Sequence, residues 1–214
     1  MMDFVQEKAM KIVNLKKTHK LGLLLSYFTV GYNVIEGIVS VIAGSMTGSV
    51  ALVGFGLDSF IESLSGSVMI WRFSKHGNIS HEEEERVEAQ AANLVGATFF
   101  ILAAYISYEA ISRLISREVP DASLIGIVIA ALSLLIMPTL AYLKNQTGKA
   151  IGSHSLVADS KQTFVCVLMS VALLVGVAAN YLFGIWWLDP VAALFFVGIL
   201  VKEGYGAIRN KDLC

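Results

Sequence analysis

The sequence predicts an all-α membrane protein with six transmembrane helices, and two observations carry that prediction. Hydrophobic residues make up 56% of the 214 residues and charged residues only 15%, whereas a soluble domain carries about 25% charged residues. The apolar residues also fall in long runs, each close to the roughly 20 residues that an α-helix needs to cross a bilayer. The net charge is −1, which gives no indication of a nucleic-acid partner.

Six apolar runs account for the predicted helices, and turn-forming residues separate them. Residues 44–49 are small and polar and divide the first two runs, and Pro120-Asp121 divides the third from the fourth. Pro190 suits the first turn of the sixth helix, because the missing N–H has no helical partner at that position. The predicted spans are approximately 21–43, 50–73, 91–114, 124–143, 156–179 and 186–204.

The distribution of basic residues predicts that both termini are cytosolic. Lysine and arginine favour the cytosolic side of a membrane protein. With the N-terminus inside, 13 of the 16 basic residues, Lys144 among them, fall on the cytosolic side. Arg113 and Arg117 fall outside, and Lys161 lies within a helix. We therefore expect a basic cytosolic segment at 1–20, a transmembrane domain at 21–206 and a short cytosolic tail at 207–214, in the inner membrane if the source is bacterial.

The two cysteines show no pattern of a disulfide framework or of a CxxC metal site. Cys166 lies in an apolar run and Cys214 is the last residue. We predict that both are free thiols.

Acidic residues inside the predicted spans are the strongest indication of function. An ionisable group at the bilayer centre costs about 2.5–3.5 kcal/mol on insertion scales, so such a group is a functional candidate. Asp58 and Glu62 are four residues apart and share one face of the second helix. Two carboxylates at that spacing repel each other unless a cation or protons lie between them.

Depth brings a third carboxylate to the same level. At 1.5 Å per residue, Asp58 lies about 12 Å and Glu62 about 18 Å below the outer end of their helix. Asp159 of the antiparallel fifth helix lies about 18 Å below the outer edge of a core about 30 Å thick. The three are predicted to bind a divalent cation together. The alternative is that each acid is structural, bonded to a neighbouring helix or to Lys161.

Four further residues were weighed as ligands. Glu36 lies nearer the outer leaflet. Its position is compatible with a metal ligand and, equally, with a structural pairing with Lys161. His154 and Ser155 lie at the mouth of the fifth helix, where the alternative for His154, and the favoured one, is an interfacial residue that contacts headgroups or cytosol. His81 precedes four glutamates that could collect cations, although such a run usually favours the positive end of a helix dipole and is solvated.

These elements together resemble the cation diffusion facilitator family of metal transporters. The stretch from Gly56 to Glu62 matches the family's acidic pair in the second helix, and Ser155 to Asp159 matches the element in the fifth helix. Trp187-Leu188-Asp189-Pro190 is similar to the family's start of the sixth helix. The resemblance extends over all six spans.

The resemblance implies a divalent-metal exporter that exchanges its cargo for protons, with zinc favoured. The family's usual His is replaced by Ser155, which leaves manganese, iron and cobalt open. The family's C-terminal cytosolic domain is not seen before Cys214, so we expect a short form that forms a homodimer through its membrane helices within the lipid bilayer. No cofactor is expected to be permanently bound.

Two other classes of function were considered. A metal-binding or regulatory membrane protein that does not transport is the principal alternative. An enzyme is not expected, because the sequence contains neither HExxH nor GxSxG and no histidine lies at the depth of the acids.

Overall fold

The computed structural model describes the backbone of residues 2–75, 81–121 and 123–210. Six α-helices occupy these ranges, and the described residues include no strand. The helices are α1 (Met2–Thr47), α2 (Val50–Lys75), α3 (His81–Ser116), α4 (Leu124–Ile151), α5 (His154–Phe183) and α6 (Leu188–Asn210). Side chains are not described at 2–17, 75, 81, 84, 87, 88, 91, 92, 95, 154, 155 and 210.

The six helices coincide with the six predicted spans, so the predicted all-α fold is confirmed. Among the described residues, five helical stretches are long and apolar enough to cross a membrane. They are Thr18–Thr47, Gly96–Ser116, Leu124–Ile151, Leu156–Phe183 and Leu188–Arg209. The remaining helix, α2, carries Asp58 and Glu62, and these two charges lower its hydropathy.

The helix ends differ from the sequence prediction where a short turn replaces an expected loop. Residues 44–49 were expected to separate the first two helices, but α1 continues to Thr47 and α2 begins at Val50. Gly48 adopts φ +74, a left-handed conformation that glycine accepts without strain, so two residues reverse the chain. Residues 2–20, predicted as a separate basic segment, continue α1 without a break.

The helices pair as α1 with α2, α4 with α5 and α3 with α6, and α2 lies at the centre. It packs against α1, α3, α5 and α6. Phe55 of α2 is fully buried and belongs to one hydrophobic core cluster with Ile106, Met169 and Phe196 from three other helices. Many large apolar side chains of the outer helices are exposed, as expected of a surface that faces lipid. The two acids of α2, Asp58 and Glu62, lie inside the bundle.

Candidate metal centre

Asp58 and Glu62 lie on one buried face of α2, as their spacing predicted. Asp58 is 5% exposed and Glu62 is fully buried. Both side chains are directed at α5, since each lies within hydrogen-bonding distance of Cys166 on that helix. The pair is therefore not solvated, and its negative charge must be balanced within the bundle.

The Cys166 thiol joins the two carboxylates. Its Sγ lies 3.3 Å from Asp58 Oδ2 and 2.8 Å from Glu62 Oε2. When both acids are ionised, only the thiol has a proton to donate. That single proton can point toward the oxygen of either Asp58 or Glu62. One sulfur and two carboxylates from two helices consequently meet at one buried position.

Lys144 of α4 supplies the positive charge at this centre. Its Nζ lies 2.8 Å from Asp159 Oδ2 and 3.9 Å from Glu62 Oε1, and the lysine side chain is fully buried. Lys144 Nζ also donates to Thr163 Oγ1 at 2.8 Å, and Thr163 Oγ1 donates to Glu62 Oε1 at 2.7 Å. The ammonium group is thus held by two acids and one hydroxyl.

The buried position of Lys144 corrects the sequence analysis, which had assigned it to the cytosolic side. The α4–α5 hairpin explains the difference. Gly152 ends α4 in a left-handed conformation with φ 69, and α5 begins two residues later. A Cβ on Gly148 would lie 2.9 Å from Val157 N, so the helices approach closely there. This contact places Lys144 directly opposite the first turns of α5.

Asp159 meets Glu62 through the ammonium group rather than directly. Neither carboxylate oxygen of Asp159 has a hydrogen-bonding partner of good geometry, so its contact with Lys144 Nζ is an ion pair. The structure therefore brings Glu62 and Asp159 to Lys144, and Asp58 and Glu62 to Cys166. Within the described part of the chain, no three His, Cys, Asp or Glu side chains form a group arranged to hold a metal ion. Metal binding requires some of these side chains to leave their present partners.

Glu36 lies beside the centre but has partners of its own. Its Oε1 accepts a hydrogen bond from Tyr32 at 2.9 Å and its Oε2 one from Ser59 at 3.0 Å. The suggested pairing of Glu36 with Lys161 does not form. Lys161 is exposed and lines a groove between α4 and α5 that also contains Lys149. Glu36 remains a predicted ligand that would have to give up two hydrogen bonds.

His154 and Ser155 remain predictions, because their side chains lie outside the described residues. The backbone shows that α5 begins at His154 and that the Ser153 hydroxyl caps it by accepting from Leu156 N at 3.3 Å. The side chain of His81 is likewise outside the description.

A further buried acid, Asp189 of α6, lies at the N-terminal end of α2, and no cationic side chain in the described part of the chain forms an ion pair with it. Its Oδ2 accepts from Val50 N at 3.0 Å and from Ala51 N at 3.5 Å, and its Oδ1 accepts from the Ser49 hydroxyl. The Ser49 oxygen in turn accepts from Leu52 N at 3.1 Å. Asp189 on α6 thus caps α2 from a different helix.

Three members of the centre were not predicted from the sequence, namely Lys144, Cys166 and Thr163. A signal for Cys166 was present in the sequence, because Cys166 follows Asp159 by seven residues, about two helical turns, and so lies on the same face of α5. The pair in the fifth helix had been assigned to Ser155 and Asp159. No comparable signal marked Lys144, since one lysine near a helix end normally lies at the membrane surface.

Comparison with known proteins gives a family and several relatives. Residues 26–211 match the family model for the cation efflux transmembrane domain. An uncharacterised transporter of Synechocystis is 33% identical over 71% of this chain and 50% of its own length. Transmembrane protein 163 of Xenopus laevis is 24% identical over 91% of this chain and 68% of its own length.

A third relative has a named cargo. The cadmium, cobalt and zinc/H(+)-K(+) antiporter of Bacillus subtilis is 26% identical over 90% of this chain and 62% of its own length. The chain thus spans between half and about two thirds of the length of these relatives. The family match and the five apolar helices make it a multi-pass integral membrane protein.

Proposed function

Because the chain belongs to the cation efflux family, we propose that it transports divalent transition-metal cations, zinc above all, out of the cytosol in exchange for protons. The observation that supports this most is the meeting of Asp58, Glu62 and Cys166 at one buried position. We take these three as the cargo ligands. Asp159 adds negative charge to the same centre through Lys144.

The ligand chemistry favours zinc and cadmium over manganese and iron. Zinc accepts both thiolate sulfur and carboxylate oxygen, whereas manganese prefers oxygen ligands. The sequence left manganese, iron and cobalt open because the fifth helix lacked the expected histidine. A sulfur ligand in that helix favours zinc and cadmium among the candidate cargo ions. The antiporter of Bacillus subtilis, whose name includes cadmium, cobalt and zinc, agrees with this preference.

Proton exchange follows from the state of the thiol. Cys166 donates its proton toward two carboxylates, and a metal ion binds the thiolate rather than the thiol. Cargo binding therefore releases at least this proton. The return of a proton to the same group would complete an exchange cycle. The Cys166 thiol proton links the side chains of Asp58 and Glu62 to α5. When the cargo ion replaces that proton, α2 and α5 can move relative to each other, as the rocking of a transporter bundle requires. The homodimer expected from the sequence stays a prediction.

Zinc flux into proteoliposomes tests this function. We expect saturable zinc uptake by purified protein, faster when the vesicle lumen is acidic, with cadmium carried well and manganese poorly. Glu62→Gln should abolish the uptake, and Glu118→Gln, which changes an exposed acid between α3 and α4 in the same way, should leave it intact. Stoichiometric zinc binding without uptake in any gradient would favour the non-transporting metal-binding protein instead.

A further inference from the structure

We propose that the groove between α4 and α5 binds one anionic phospholipid of the inner leaflet, with Lys149 and Lys161 on its phosphate and Tyr142 and Phe164 against its acyl chains. The inner leaflet follows from the orientation that the basic residues predict, in which α4 ends and α5 begins on the cytosolic side. This inference goes beyond metal transport and is independent of the cargo, because the side chains of the candidate metal centre do not line the groove.

The lining of the groove is amphipathic, as a phospholipid is. The groove has a cavity volume of about 520 Å³. Its more deeply placed members are polar, since Asn145 Nδ2 of α4 donates to Ser160 Oγ of α5 at 3.1 Å. Tyr142 and Phe164, which also line it, are 63% and 53% exposed. A molecule with a polar end and apolar chains therefore fits this lining better than a soluble anion does.

Two cationic side chains of the groove have no anion bound to them. Lys149 and Lys161 are both exposed, and in the part of the chain that the structure describes neither forms an ion pair. Glu203 of α6 interacts with Lys161 electrostatically but makes no ion pair with it. The groove consequently presents positive charge to whatever enters it.

The depth of Lys161 makes that charge unusual. Lys161 is seven residues from the start of α5 at His154, or about 10 Å along the helix axis. A lysine on the lipid-facing surface at this depth is costly unless its ammonium group finds a polar partner, which its flexible stem can reach toward the interface. Lys149 lies two residues before α4 ends at Ile151, about 3 Å from that end. A phosphate held between these two levels would accept hydrogen bonds from both lysines.

Charge selects an anionic lipid over the other molecules that could occupy the groove. A second copy of the chain packed groove to groove would set the lysines of one copy against those of the other. In phosphatidylcholine, the choline of the headgroup already compensates the phosphate. Free phosphate would leave Tyr142 and Phe164 uncovered. Basic pockets between transmembrane helices on the cytosolic side typically bind anionic headgroups, and an anionic phospholipid uses both parts of this lining.

Native mass spectrometry of the purified protein with equal amounts of palmitoyl-oleoyl phosphatidylglycerol and palmitoyl-oleoyl phosphatidylcholine tests the site. We expect one phosphatidylglycerol to be retained per chain, with a preference of at least about tenfold, because each lysine near an anionic headgroup adds several-fold to the affinity. Lys149→Gln/Lys161→Gln should lose this preference, and Lys149→Arg/Lys161→Arg should keep it. Lys20→Gln/Lys202→Gln is the matched control, since it removes the same charge from exposed lysines outside the groove.

Several results would overturn the proposal. They are equal retention of the two lipids by the wild-type protein, a preference that survives in Lys149→Gln/Lys161→Gln, and a loss of preference that is as large in the control variant. Full displacement of the lipid by excess inorganic phosphate would make free phosphate the ligand. A dimer that forms without lipid and dissociates in Lys149→Gln/Lys161→Gln would assign the groove to a second copy of the chain.

Thermal unfolding in detergent should be recorded beside these measurements. Both lysines are exposed, so their glutamine variants should fold like the wild-type protein. If the double variant fails to fold, Lys161→Gln alone decides. We then expect the preference for phosphatidylglycerol to fall at least about threefold, and an unchanged preference would contradict the site. None of these outcomes depends on zinc, so the proposed transport function can fail while the lipid site stands, and the reverse.

Discussion

Two buried acids, Asp189 of α6 and Glu62 of α2, lie at different levels of the central helix α2 and differ in the kind of partner that holds them. Asp189 caps the first turn of α2 and is bound by two backbone N–H groups and one hydroxyl. Glu62 lies twelve residues further along, about 18 Å away, and is held by a thiol, a hydroxyl and an ammonium group, all on side chains. Asp189 has fixed partners, whereas the partners of Glu62 can rotate away.

On the proposed function, this difference separates a structural acid, Asp189, from a cargo ligand, Glu62. Backbone donors at a helix N-terminus cannot leave without unwinding the helix, so Asp189 must stay in place for α2 to begin at Val50. Under the proposed function, the side chains around Glu62 would exchange one another for a cargo ion, and the carboxylate of Asp159 beside it is held by its ion pair with Lys144. Burial alone does not distinguish these acids, because all three are at most 1% exposed.

The comparison predicts its largest effect on stability at Asp189. In Asp189→Asn an NH₂ group replaces one of the two carboxylate oxygens. A hydrogen-bond donor then faces Val50 N–H or the Ser49 hydroxyl, which are donors themselves. We expect the free energy of unfolding to fall by about 1–3 kcal/mol, the cost of a buried polar group left without its partner. Thermal unfolding in detergent measures this. Asp121→Asn is the control, since that side chain is exposed and should change nothing. A stable Asp189→Asn protein would contradict the structural role.

A smaller effect, on selectivity rather than stability, is expected at Cys166. Cys166→Ser keeps a donor to Asp58 and Glu62 but replaces sulfur with a harder oxygen. Cadmium, the softer ion, should lose about tenfold in affinity relative to manganese, while the melting temperature should change little. Competition binding with the two metals gives the ratio, and Cys166→Ala shows whether any polar atom is needed. An unchanged cadmium-to-manganese ratio would mean that the sulfur is not a ligand.

The sequence predicted much of this architecture because its strongest signals are local. Six apolar runs gave six helices, and the spacing of Asp58 and Glu62 placed both on one buried face of α2. Glycine conformations were harder to foresee, and Gly48 shortened a predicted loop to a two-residue turn. The family match over residues 26–211 agrees with the resemblance seen in these same residues.

The partners of the acids could not be predicted in the same way. They depend on which helices pack together and on how closely. The sequence predicted that Lys144 lies at the membrane surface. In the structure, the close approach of Gly148 to Val157 packs α4 against α5 and buries Lys144. In the sequence, Cys166 is one residue of an apolar run. Only the packing of α5 against α2 brings it to Asp58 and Glu62. Lys161, which the structural alternative paired with the acids, is exposed, since two residues apart on a helix it and Asp159 point to nearly opposite sides.

The central claim is that Asp58 and Glu62 carry cargo rather than hold the fold, and one matched measurement tests it directly. Zinc uptake into proteoliposomes and thermal unfolding should be recorded on the same preparations of Asp58→Asn, Glu62→Gln and Asp189→Asn. The account predicts that Asp58→Asn and Glu62→Gln lose uptake yet keep or gain stability, because a buried amide costs less than a buried charge, whereas Asp189→Asn loses stability. Normal zinc uptake by Asp58→Asn and Glu62→Gln would contradict it.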